Sequence, residues 1–135
     1  MSTSVLHPNQ FQVNEAWIVF KLNDAPIPTA ADGDFNLIAL MDAASCFILG
    51  TVTVSTDKAE LAIFDAKQLL KNGKAHKQVL PSKLLIPKHL PVGVLAKEAE
   101  SQGIAVVYVS EKQLLPFIDD PREHFKKSFS GDSLQ

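Results

Sequence analysis

The chain has 135 residues, 46% of them hydrophobic and 21% charged, which fits one globular domain over 1–135 and leaves no room for two. Its single cysteine, Cys46, excludes an intrachain disulfide and a Cys-x-x-Cys metal or redox pair, so a reducing cytoplasm is the expected compartment. No apolar run approaches the roughly 20 residues that span a bilayer, and residues 1–12 lack the cationic start and apolar stretch of a signal peptide.

The formal charge of −2 is unevenly distributed. Residues 1–66 hold two lysines against eight acids, residues 67–97 hold seven lysines and no acid, and residues 98–135 hold four basic groups against seven acids. The cations are therefore concentrated in one segment of a dipolar chain.

Loose termini are expected at about 1–10 and 130–135. Residues 12–22 fit two readings: Val13, Ala16, Trp17 and Phe20 share a helical face, while Trp-Ile-Val-Phe is a strand-like run. The spacing leans towards helix. Residues 23–34, with two prolines and an Ala-Asp-Gly-Asp tip, form a loop. Residues 35–41 (FNLIALM) and 46–54 (CFILGTVTV) are two apolar runs around a short connection, hence a hairpin. The first reads as a central strand; Thr51, Thr53 and Ser55 mark the second as more exposed, and Gly50 as a bulge or close approach.

Thr56 is a candidate N-cap for a helix over 59–71, stopped by Asn72-Gly73, with 73–77 as a basic connection. Lys83 to Pro87 is a short strand bounded by prolines. Pro91 opens a helix with Val92, Val94, Leu95 and Ala99 inward, ending at Gly103. Residues 104–109 (IAVVYV) read as a buried strand. Ser110 caps a short helix to Leu115, and 119–129 form a last amphipathic helix. Strands alternating with helices in the second half require parallel pairing. The expected fold is α/β: a mixed sheet with an antiparallel hairpin, then strand-helix-strand units, and helices on both faces.

That order, with FNLIALMDAASCFILGTV and its Asp42, Ser45 and Gly50, resembles the opening of RNase H-like domains. The stretch from Lys83 to Val109, with PVGVLAKEAESQGIAVVYVS, is similar to the second half of degenerate RNase H-like domains in an uncharacterised bacterial family. Active members hold Mg or Mn with carboxylates from the first strand, the first helix or next strand, and the last helix. The resemblance would assign these roles to Asp42, to Asp65 or Glu60, and to Asp119, Asp120 or Glu123. Two-metal chemistry needs such hard oxygen ligands around a closely spaced cation pair. After the strand KLLIP, however, stand Lys88 and His89, where an active member usually carries an acid. Asp42 also fits a turn residue bonding the hairpin backbone.

Cys46, opening an apolar strand, reads as a small hydrophobe rather than a nucleophile paired with His7, His76, His89 or His124. The sequence has no G-x-S-x-G, no phosphate-loop glycine pattern and no zinc-ligand cluster. The lysine segment remains. Lys67, Lys71 and Lys74 share a helical face, and Lys77 and Lys88 continue the run as candidate contacts to an anionic partner, either nucleic acid or an acidic protein surface. Against nucleic acid stand a single arginine and the lack of an aromatic within the segment. Trp17, near Phe11 and Phe20, either covers its own sheet or anchors a partner. The reading is a non-catalytic binding or scaffold domain without a cofactor, possible as a homodimer and not membrane-bound; the alternative is a metal-dependent nuclease centred on Asp42.

Overall fold

Trp-Ile-Val-Phe forms a strand, not the expected helix. In the computed structural model, which describes residues 6–23, 27–28, 33–56 and 61–134 (without the side chains of 77 and 128–134), β1 spans Ala16–Lys21. All of residues 16–20 are buried, as a central strand covered on both faces requires. Aromatic and β-branched side chains suit that pleated, two-sided environment, which overrides the helical spacing of Trp17 and Phe20.

β2 (Phe35–Asp42) and β3 (Ile48–Ser55) form the expected antiparallel hairpin. The register shifts between Leu40↔Gly50 and Met41↔Ile48, leaving Leu49 as the extra residue of a bulge beside Gly50. A Cβ at Gly50 would lie 3.2 Å from Asn72 Cβ, so the glycine also allows a helix to approach closely. β4 (Lys83–Pro87) pairs parallel with β1, and β5 (Ala105–Val109) pairs parallel with β4. The sheet order is β3-β2-β1-β4-β5, with β1 antiparallel to β2.

Helix α1 covers Ile63–Lys77, later at both ends than expected. Of the predicted start, residues 57–60 lie outside the described residues. Thr56 does not cap the helix; its N–H and hydroxyl donate to the Asp34 carbonyl at 3.1 and 3.3 Å. Gly73 does not stop it either. It lies inside the helix because Trp17 presses on it: a Cβ there would stand 2.7 Å from the indole ring. α2 is Gly93–Ser101, with Leu95, Ala96 and Ala99 inward. The two helices expected after Ser110 are one, α3 (Glu111–Leu134), which contains Pro116 and Pro121. Gln113 accepts the Ser110 N–H at its start.

Strand alternation divides the core between the faces. Trp17, Val19, Leu40, Leu84 and Ile86 pack with α1 and α2; Ile18, Phe20, Met41 and Leu85 pack with Leu114, Phe117 and Ile118 of α3. Leu6 and Phe11 join the α3 side, and the Leu6 N–H donates to the Gln113 carbonyl, so residues 6–11 are tied to the fold. β5 is not the buried strand expected. It is an edge strand, with Ala105, Val107 and Tyr108 exposed. No helix among the described residues is long and apolar enough to cross a membrane.

Candidate functional site

Open α/β sheets hold ligands outside the carboxyl ends of their strands, where neighbouring strands connect in opposite directions. β1 and β4 meet that condition. From its carboxyl end β1 runs to β2 on one side, while β4 runs through α2 to β5 on the other. A cleft of about 410 Å³ opens there. Lys21 ends β1, Pro87 ends β4, His89 and Leu90 follow β4, Asn23 comes from the β1–β2 connection and Asn36 from the start of β2. Glu111 and Arg122 of α3 close it.

The polar groups are fixed by local bonds. Asn23 is buried; its Oδ1 accepts the Leu37 N–H at 2.8 Å and its Nδ2 donates to Asn36 Oδ1 at 3.0 Å. Arg122 donates from Nε to the Lys21 carbonyl at 2.9 Å and from Nη2 to Glu111 Oε1 at 2.8 Å. Those bonds use two of five guanidinium donors and engage the one carboxylate that lines the cleft among the described residues. The remaining lining residues are Lys21, His89, Asn36 and the apolar Pro87, Leu90 and Pro91.

The suggested carboxylates lie elsewhere. Asp42 ends β2, paired with Trp17, at the amino end of β1. It is fully buried: Oδ1 accepts the Asn14 N–H at 2.7 Å, and Oδ2 accepts the Ser45 N–H at 2.9 Å and hydroxyl at 2.7 Å. Asp65 lies in the first turn of α1, on one face of the sheet; Asp119 and Asp120 are exposed on α3, on the other. Glu60 lies outside the described residues. Among the described residues no three His, Cys, Asp or Glu side chains gather as metal ligands.

Lys67, Lys71 and Lys74 are exposed on α1, and Lys88 is exposed in the turn after β4. α1 starts beside the carboxyl ends of β1 and β4, where Leu61 lies with Lys21 and Leu90, and runs back towards the amino end of β4, while Lys88 follows the β4 carboxyl end. The Lys77 side chain is outside the described set. Phe47 and His76 meet edge to face with centroids 5.4 Å apart, an aromatic neighbour to the basic segment that sequence distance concealed.

Cys46 and His124 line one apolar groove with Leu22, Ile48, Asp120, Pro121 and Phe125. Burial pushes the thiol above its usual range, and the Asp42 and Asp120 carboxylates push it further. Its Sγ faces the Ala43 carbonyl at 3.8 Å. A thiol held protonated is a poor nucleophile. Alkylation by iodoacetamide is therefore expected to require higher pH than for a free thiol, and Asp120→Asn to move the profile back towards neutrality; a wild-type profile matching free cysteine would contradict this. The same upward shift leaves stability unchanged while the thiol is protonated in both states, and lowers it as pH rises from the thiol's ordinary range through its raised one.

Cleft-forming Lys21, Asn23, Asn36, Glu111 and Arg122 were not singled out by sequence. The available signal was Lys21 closing an apolar strand and His89 following another, at equivalent ends of parallel neighbours.

Neither a protein-family model nor a curated protein matches the sequence. Solved structures do match. A chain of the simian T-cell lymphotropic virus intasome in complex with PP2A regulatory subunit B56 gamma superposes with a TM-score of 0.54 at 15% identity, over 95% of this chain and 44% of that one. The HTLV-2 integrase catalytic core domain in complex with magnesium, in its dimeric form, gives 0.49 at 10% identity, over 81% and 82%. This chain thus spans less than half of the intasome chain it matches. The sheet order and the intasome likeness agree on an RNase H-like α/β fold.

Proposed function

We propose that this domain is a binding module that takes an anionic group, phosphate or carboxylate, in the cleft at the carboxyl ends of β1 and β4. The observation that carries this reading is the polar lining: Lys21, His89 and Arg122 line the cleft together, and among the described residues its one carboxylate, Glu111, is paired with Arg122. Lys88 in the adjoining turn, and Lys67, Lys71 and Lys74 along α1, extend the positive field towards an anionic partner such as nucleic acid or an acidic protein surface.

The second reading, a phosphodiester-cleaving enzyme with Mg or Mn, draws on the likeness to integrase chains, which bears on fold alone at this identity. The donor set does not fit that cation pair. β1, Ala-Trp-Ile-Val-Phe-Lys, carries no acid, β4 is followed by Lys88 and His89, and both Asp42 oxygens face N–H or O–H donors. A metal ligand needs those lone pairs.

A labelled single-stranded oligodeoxynucleotide serves as the polyanionic probe. Its anisotropy should report binding at low salt that weakens as salt rises, and Lys21→Ala should weaken it and lower the log–log salt slope by about 1. Equal binding by Lys21→Ala would overturn the cleft assignment. Manganese-dependent cleavage abolished by Asp42→Asn would favour the second reading.

A further inference from the structure

The two edges of the sheet are unlike. β3 bears a bulge, which discourages edge-to-edge pairing. β5 bears none. Its five residues, Ala-Val-Val-Tyr-Val, are uncharged, and Val107 and Tyr108 are 38% and 53% exposed. Two ladder bonds fix its orientation: the Ala105 N–H donates to the Ser82 carbonyl, and the Val109 carbonyl accepts the Lys88 N–H. Residues 105, 107 and 109 therefore turn their backbone groups towards β4, and by alternation Val106 and Tyr108 turn theirs towards the outer edge, where no strand pairs among the described residues.

We infer that β5 pairs antiparallel with β5 of a second copy about a two-fold axis at Val107, joining two sheets into one. The register is self-complementary. Val106 and Tyr108 of one protomer oppose Tyr108 and Val106 of its partner, so each outward N–H and carbonyl meets its complement and two β-branched–aromatic pairs form. Val107 faces Val107 across the axis. β5 carries no charged residue, so no like charges meet along the paired strands. A second copy, rather than an unrelated strand, is favoured because one sequence satisfies both sides. The interface is independent of the anion cleft.

Sedimentation velocity on the full chain over a concentration series tests it. Wild type should associate reversibly, with the weak affinity of a small interface. Val107→Lys places like charges on the axis and should weaken association about tenfold or more, as should Val107→Glu. An equimolar mixture of the two should regain the dimer, an outcome that loss of folding cannot mimic. A wild type that stays monomeric throughout, a Val107→Lys dimer of wild-type affinity, or a mixture that stays monomeric while circular dichroism shows both variants folded, would overturn the proposal.

Discussion

Asp42→Ala is expected to destabilise the domain by about 3–5 kcal/mol, because three donors lose a charged acceptor at a buried position. The Asn14 N–H, the Ser45 N–H and the Ser45 hydroxyl all point at that carboxylate. The loss spreads further. Asn14, held at φ 65, also accepts the Trp17 indole N–H at 2.8 Å and donates to the Val79 carbonyl at 3.1 Å. Asp42 thereby ties the β2–β3 turn to the residues before β1 and, through Asn14, to the chain after α1. Asp42→Asn retains the shape but turns an amide N–H₂ towards at least one donor, and should cost about 1–3 kcal/mol. Urea denaturation measures both. Asp42→Ala at wild-type stability would show that the carboxylate is not a structural tie.

Gly73→Ala should destabilise by about 1–3 kcal/mol although alanine favours the helix by about 0.5–1 kcal/mol, since overpacking a rigid contact outweighs propensity. The added methyl would stand 2.7 and 2.8 Å from two Trp17 ring atoms and 3.2 Å from Leu40 Cδ2. The indole has nowhere to go: it is fully buried and its N–H is bound to Asn14. Thermal melting should fall for Gly73→Ala and partly recover when Trp17→Phe removes ring atoms at that contact. An undiminished melting temperature in Gly73→Ala would contradict the packing described here.

Much of the architecture was legible because local and tertiary preferences agree. KLLIP between prolines is β4 to the residue, and FNLIALM with CFILGTVTV gives the hairpin. Where they diverge, sequence misleads. Trp17 and Phe20 fit a helical spacing as well as a strand, and only a neighbour on either side, β2 and β4, decides. IAVVYV is apolar enough for a central strand but lies at the edge, which apolarity alone does not reveal. Asn72-Gly73 imitates a helix stop because the demand for glycine comes from Trp17, distant in sequence. The two helices expected after Ser110 are one, α3, whose Leu114, Phe117 and Ile118 pack across the interval between them.

The candidate site was less legible for the same reason. Lys21, Asn36, His89 and Arg122 are far apart in sequence and form no motif, while the seven clustered lysines are spread over α1, β4, the turn after it and α2. The single arginine, which by number argued against anion recognition, is the one the fold places in the cleft.

Amide chemical shifts recorded while inorganic phosphate is titrated at low salt test the central claim most directly. Binding in the cleft predicts saturable shifts at Asn23, Asn36, His89, Leu90 and Glu111, reduced in Lys21→Ala. Shifts confined to the α1 lysines, or none at the carboxyl ends of β1 and β4, would contradict it.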